Sequence, residues 1–191
     1  MKLETQEIES RARRIKLLLI DCDGVLTDGR LILLSDGDEQ KTFNVHDGHG
    51  IKLLQRAGLR AGIISGRSSS CVQRRAEELG MPAELVRQGC LDKIKAFEEM
   101  LSQAEVNESE VAFIGDDLPD IPIMRRAGLA FAVADAVAET KNVAHHVTER
   151  KGGRGAVREV ADLILKAQGR WDELMARYLE NRRQKAESTE Y

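Results

Sequence analysis

The residues able to do chemistry stand at the ends of short apolar runs. Asp21 and Asp23 follow the run from Ile15 to Ile20, Ser65 follows LRAGII, Lys93 comes just after a short run at 84–87, and Asp116, Asp117 and Asp120 follow EVAFI. Singly, each has a plain explanation: Ser65 as a turn residue, Lys93 as a surface charge, Asp120 as a helix cap. Together they supply a nucleophilic carboxylate, a second acid, a hydroxyl, a cation and a metal-binding acid. Crowded carboxylates repel one another unless a cation or a proton intervenes. Mg²⁺ suits such a cluster, because it keeps several waters while taking one or two carboxylates and a substrate phosphate. The chemistry that uses all of these groups is phosphoryl transfer. Asp21 attacks phosphorus in line to give an aspartyl-phosphate, and Asp23 protonates the leaving alcohol and later takes a proton from the hydrolytic water. Lys93, the Ser65 hydroxyl and the N–H groups of Gly24 and Gly66 hold the phosphate oxygens.

For these residues to meet, the runs that carry them must lie side by side. IKLLLI has no helical period and reads as a strand buried on both faces, as in the middle of a parallel sheet. Alternation along it puts Asp21 and Asp23 on one side and Cys22 on the other, where the thiol is buried and inert. Two extended runs, 30–35 and 40–45, flank Asp36-Gly37-Asp38, a strong hairpin signal. Asp47 is placed to cap a helix to about Ala57, ended by Gly58. Strands at 59–64, 84–87, 110–114, 129–133 and 145–148 then alternate with helices at 68–79, from a cap at Asp92 to Ala104, near 120–127, and 156–167. This alternation predicts an α/β fold, a Rossmann-like doubly wound parallel sheet with a β-hairpin flap. Strand ends in such sheets share one rim, where ligands bind. Beyond Gly169, Trp171, Leu174, Met175, Tyr178 and Leu179 form one helical stripe, which packs on its own domain or on a sister subunit. Residues 1–170 are thus expected to form one domain, with 171–191 a helical extension.

The totals narrow the function. In 191 residues there is room for one domain with a proper core. A net charge of −3 without a Lys/Arg block gives no case for nucleic acid, and 4% aromatic residues disfavour a base-stacking surface. Three scattered cysteines fit a reducing compartment. The stretch MKLETQEIESRARR has no signal-peptide core, and no apolar run is long enough for a membrane span, so a cytoplasmic address is expected. His46 and His49 form an HxxH pair, but without a third soft ligand a substrate-edge or structural role is favoured over a transition metal.

In order and spacing, DCDGVLTDG, ISGR, GCLDK and GDDLPD resemble the four motifs of the haloacid dehalogenase superfamily of phosphatases, over about Ile15 to Ala167. The resemblance implies that Asp21 is the nucleophile and Asp23 the acid/base. It implies Mg²⁺ held by Asp21, the carbonyl of Asp23 and Asp116, phosphate bound by Ser65 and Lys93, and support of the acidic cluster by Asp117 and Asp120. The intervals from Asp21 to Ser65 and from Lys93 to Asp116 are filled by assigned elements, so no cap domain fits. A site without a lid admits water, and phosphoryl chemistry is better enclosed. A neighbouring subunit can close it, with the hairpin as the contact, and the branch lacking a cap resembled here assembles as homotetramers. Within that branch, KTFNVHDGHGIK, ISGR and KGGRGAVREVADLILKAQG resemble phosphatases of 3-deoxy-D-manno-octulosonate (KDO) 8-phosphate, of lipopolysaccharide precursor synthesis. That places Asn44, Val45, His46, Asp47, Gly48, Lys52, Arg67, Arg75 and Arg154 around a sugar acid phosphate, whose carboxylate suits the planar fork of arginine. Phosphatases of nonulosonate 9-phosphates, the alternative, resemble a pattern with Glu where Arg67 and Arg154 stand. Two non-enzymatic readings compete: a phospho-receiver module, which lacks an acid two residues after the acceptor, and a silent phosphatase-like binding module, against which all four filled motifs argue.

Overall fold

The structure, a computed structural model, describes residues 3–35 and 39–187. Helix α1 (Thr5–Ala12) leads into strand β1 (Leu17–Ile20), whose four residues are all buried. The flap follows as β2 (Ile32–Leu33) and β3 (Glu39–Gln40). Next come α2 (Val45–Arg56), β4 (Arg60–Ile64), α3 (Ser70–Leu79), β5 (Val86–Arg87) and α4 (Lys93–Ala104). The chain continues as β6 (Val111–Gly115), α5 (Ile121–Met124), β7 (Leu129–Ala132), α6 (Ala138–Val143), β8 (His146–Val147), α7 (Ala156–Ala167) and α8 (Trp171–Glu187).

Six strands form one sheet in the order β5-β4-β1-β6-β7-β8, with every neighbouring pair parallel. The order grows from β1 first to one side and then to the other, so the doubly wound sheet reverses at β1. That reversal opens a crevice at the carboxyl ends of β1, β4 and β6. The central strands are apolar throughout because helices cover both faces: Leu17 to Ile20, Ala61, Ile63, Ile64 and Val111 to Ile114 are fully or almost fully buried. Among the described residues no helix is long and apolar enough to cross a membrane.

Three expectations change in detail. The flap ladder is two residues on each side, Ile32 opposite Gln40 and Leu33 opposite Glu39, because the second run turns into α2 at Val45. The turn at 36–38 lies outside the described residues. The run at 84–87 is split, a 3₁₀ turn at Ala83–Leu85 followed by a two-residue edge strand. The cap of α2 is Asn44, whose Oδ1 accepts from the N–H of His46 at 2.8 Å. Asp47 sits inside the helix, 1% exposed, and reaches a different helix (below).

Helix α8 docks on its own domain. Leu174 is buried, and the Trp171 ring faces Arg158 and Lys166 of α7, at 6.0 and 5.0 Å. The Tyr178 hydroxyl stands 3.2 Å from Nε2 of His49, which gives that histidine a structural partner. Leu179, on the same stripe, stays exposed.

Candidate active site

Parallel pairing carries β1 onto β6 as far as the N–H of Asp21, which donates to the Ile114 carbonyl at 3.1 Å. Asp21 is still extended; the chain then winds into one wide turn, Cys22–Leu26, closed by the N–H of Thr27 on the Cys22 carbonyl at 3.0 Å. Cys22 faces the core. Burial, then Asp23 and Asp21, push its thiol far above the ordinary range, so it stays protonated and inert.

Within this turn Gly24 has φ +96°, and a Cβ there would stand 2.1 Å from Oδ2 of Asp116. Only glycine leaves room for the carboxylate arriving from β6. Its N–H, expected to hold phosphate, donates to Thr27 Oγ1 at 3.4 Å. The contribution of Gly24 is therefore chiefly space. A glycine pair locks the turn from behind. A Cβ on Gly152 would meet the Gly24 carbonyl oxygen at 1.7 Å, and the N–H of Gly153 donates to the Val25 carbonyl at 2.8 Å. The loop before α7 is in turn held by Asp47, whose carboxylate accepts from the N–H groups of Gly155 (3.1 Å) and Arg158 (2.8 Å). These are orphan donors of the α7 amino end, so a buried acid on α2 satisfies them.

Asp21, Asp23, Ser65, Gly66, Arg67, Lys93, Asp116, Asp117 and Asp120 all line one cavity of about 330 Å³ at the sheet reversal. One carboxylate oxygen from each of Asp21, Asp116 and Asp120 lies within 4.8 Å of the others. The ammonium of Lys93, expected on phosphate, bridges two of these acids, at 2.6 Å from Asp21 Oδ1 and 2.7 Å from Asp120 Oδ1. The other oxygen of Asp120 accepts from the N–H groups of Asp116 and Asp117, at 2.9 and 3.3 Å. Asp117 is exposed and caps the next turn through Leu118. Ser65 is buried; its hydroxyl oxygen accepts from the N–H of Arg67 at 3.3 Å.

Three acids share a single lysine, and the imbalance shows in their protonation. Burial, then Asp120, raises Asp21 to about 7 against the opposing pull of Lys93. Burial, then Asp21, Asp120 and Asp117, raises Asp116 to about 8. Burial opposes the charge on Lys93, yet Asp21 and Asp120 hold it well above the ordinary lysine range. Oδ1 of Asp116 is buried without a hydrogen-bond partner among the described residues. A surplus of buried negative charge and an unpartnered carboxylate oxygen fit a hard divalent cation.

Of the residues expected around a sugar acid, Arg67 alone lines this cavity. Asn44, Val45 and His46 line, with Arg154, a separate hollow of about 300 Å³. Arg154 pairs with Asp28 at 3.2 Å. Arg75 pairs with Glu78, crosses the Phe43 ring and lies against Gly48; Lys52 ends near Gly80. Asp47 is committed to α7. Within one chain these residues do not converge with the acids, because α2 packs against α7 and α3. A larger cleft of about 780 Å³, lined by α1 and α7, lies away from the acids. Two of its arginines pair with acids of the same cleft, Arg158 with Asp162 and Arg13 with Glu9, whereas the converging acids lie in the smaller cavity, which is the candidate site.

Two residues outside the cavity lining contact its side chains, and neither belongs to the four superfamily motifs. Lys41 donates from Nζ to Asp23 Oδ1, and Glu39 accepts from Arg67 Nη2 at 2.9 Å. Lys41 opens the KTFNVHDGHGIK run and Glu39 stands two residues before it on an extended run, but neither feature points to Asp23 or Arg67.

The model of the haloacid dehalogenase-like hydrolase family matches residues 83–160. The 3-deoxy-D-manno-octulosonate 8-phosphate phosphatase of Yersinia pestis is 46% identical over 162 residues, 85% of this chain and 86% of that protein. The crystal structure of the phosphatase of the same name from Moraxella catarrhalis, in complex with magnesium, phosphate and KDO, superposes with a TM-score of 0.88 at 42% identity, over 92% of this chain and 99% of that one. The cobalt-bound Haemophilus influenzae phosphatase of deoxy-D-mannose-octulosonate 8-phosphate has a TM-score of 0.80 at 43% identity, over 83% and 92%.

Proposed function

The chain belongs to the haloacid dehalogenase-like hydrolases and, among them, to the family of 3-deoxy-D-manno-octulosonate 8-phosphate phosphatases; from that membership we infer that it hydrolyses KDO 8-phosphate to KDO and phosphate. The observation that carries the chemistry is the convergence of Asp21, Asp116 and Asp120 within 4.8 Å beside one lysine. Mg²⁺ is the cofactor, and Asp21, Asp116 and the backbone carbonyl of Asp23 are the groups that would hold it. When bound it supplies positive charge for the phosphate dianion and neutralises the acids around it.

The side chains divide the rest of the work. Lys93 fixes one oxygen of Asp21 and so orients the other for in-line attack on phosphorus, with formation of an aspartyl-phosphate. Asp23 gives its proton to the leaving sugar oxygen and then takes one from the water that hydrolyses the intermediate. Ser65 and Gly66, after β4, meet the phosphate oxygens. Arg67, at the mouth and half exposed, takes the substrate carboxylate.

The enzyme works as a homotetramer in the cytoplasm, with a neighbour closing each site. The supporting observation is the flap, where Leu31, Ile32, Leu33 and Leu34 are 43–73% exposed, as is Val45 beyond it at 77%. Such an apolar edge belongs under another surface. A neighbouring chain also gives Arg75, Arg154 and the Asn44–Gly48 segment a route to the substrate that their own chain does not provide.

The test is phosphate release with Mg²⁺ from KDO 8-phosphate, nine-carbon sugar acid phosphates and hexose phosphates. KDO 8-phosphate is expected to give the highest kcat/KM, and Asp21→Asn to abolish turnover while leaving the circular dichroism unchanged. Preference for a nine-carbon substrate would move the chain to the alternative. No release from any of them would leave a silent binding module.

A further inference from the structure

The flap places two charges against side chains that line the cavity. Nζ of Lys41 donates to Asp23 Oδ1 and lies 3.3 Å from Glu39 Oε1. Arg67 donates from Nη2 to Glu39 Oε2 at 2.9 Å, and its Nε is 3.8 Å from Asp23 Oδ2. The four groups close a ring in which the charges alternate: Asp23, Lys41, Glu39, Arg67. The Lys41 side chain is 2% exposed and that of Glu39 is 11%. An ammonium is buried this deeply only where carboxylates pair with it, and here two do. The core does not need this arrangement, since the flap ladder is two residues long and its leucines face outward. What the ring does is hold Oδ1 of Asp23, leave Oδ2, 3.8 Å from Arg67 Nε, open to carry the proton, and aim Arg67.

We propose that Lys41 and Glu39 are positioning residues for the reaction: Lys41 fixes the carboxyl of Asp23 at the leaving oxygen, and Glu39 fixes the guanidinium of Arg67 for the substrate carboxylate. Seating of the flap thereby sets the geometry of proton transfer. The proposal rests on Asp23 being the proton donor of the reading above. In that step an Asp21 oxygen bonds to phosphorus as the phosphorus–oxygen bond to the sugar breaks. The electron pair stays on the sugar oxygen, which takes the proton from Asp23. Lys41 neither gives nor receives that proton. An alkoxide leaving group needs it, whereas nitrophenolate departs without it.

The discriminating measurement is rapid-quench kinetics of the first turnover, in the full chain with Mg²⁺. It follows sugar release from KDO 8-phosphate and nitrophenol release from p-nitrophenyl phosphate, in Lys41→Met, Lys41→Arg and Asp23→Asn. Lys41→Met should slow sugar release roughly 10–100-fold and nitrophenol release less than about threefold, as expected when a general acid is displaced rather than removed. Lys41→Arg, which keeps a cation there, should recover most of the loss. Glu39→Gln should raise KM for KDO 8-phosphate at least about threefold and leave that for the aryl phosphate alone. If Lys41→Met does not fold, Lys41→Gln carries the same comparison. Equal slowing of both leaving groups, or of neither, overturns the proposal. If Asp23→Asn itself fails to discriminate between them, Asp23 is not the donor and both readings fall. If Asp23→Asn discriminates and the Lys41 variant does not, only the positioning role falls.

Discussion

A Cβ on Gly24 would stand 2.1 Å from Oδ2 of Asp116, so the turn after β1 and the carboxylate after β6 fit together only while residue 24 has no side chain. Gly24→Ala must displace that carboxylate and also adopt a φ that L residues avoid. The expected result is a fall of at least about tenfold in Mg²⁺ affinity by calorimetry, with the far-ultraviolet circular dichroism retained. Unchanged affinity would show that Asp116 can shift without consequence for the metal.

The raised acids make metal-free stability depend on pH. Asp21 and Asp116 take up protons near 7 and 8 in the folded chain and near 3.8 when unfolded, so between these values the folded state binds more protons. Stability from this cluster is therefore complete below about pH 4 and is lost as pH rises through 7 to 8. In chelator, the apparent Tm of Asp116→Asn should fall less than that of the unaltered protein between pH 6 and pH 8, by roughly a few degrees. Saturating Mg²⁺ should remove most of the fall in the unaltered protein, since it binds the ionised acids.

Removing the Asp47 carboxylate leaves one buried and one part-buried N–H group at the start of α7 without their acceptor. Asp47→Ala should destabilise the fold by about 2 kcal/mol in urea unfolding. Asp47→Asn keeps one acceptor oxygen and should lose less. An Ala variant as stable as the parent would show that water replaces the carboxylate at the α7 amino end.

Arg67→Ala should raise KM for KDO 8-phosphate more than for p-nitrophenyl phosphate, which has no carboxylate. Steady-state kinetics on both substrates decides this. Equal changes would remove Arg67 from carboxylate recognition and leave it a general anion binder.

Much of this molecule could be read from its letters because the controlling interactions are local. Apolar runs of five or six residues named the inner strands, and Asp92 caps α4 through the N–H groups of Ile94 and Lys95 as expected. The acids after β1 and β6 follow from strand order alone. Asp47 could not be read this way: its partners lie 108 and 111 residues away, and a carboxylate at a helix start looks like the cap of its own helix. The Lys41–Asp23 contact was hidden for the same reason, since a lysine on a polar run reads as solvated until the fold buries it. The substrate arginines were placed together by resemblance, whereas within one chain packing of α2 on α7 keeps most of them from the acids.

The clamp of Gly152 and Gly153 on the turn at Gly24 and Val25 joins segments about 128 residues apart. On a ribosome, every acid of the cluster is made well before its rear wall exists. A nascent chain of about 150 residues would hold Asp21, Asp23, Asp116 and Asp120 with the turn unbraced and α7 still unmade. Competence should therefore arrive late and abruptly during synthesis, after most of the polypeptide has emerged.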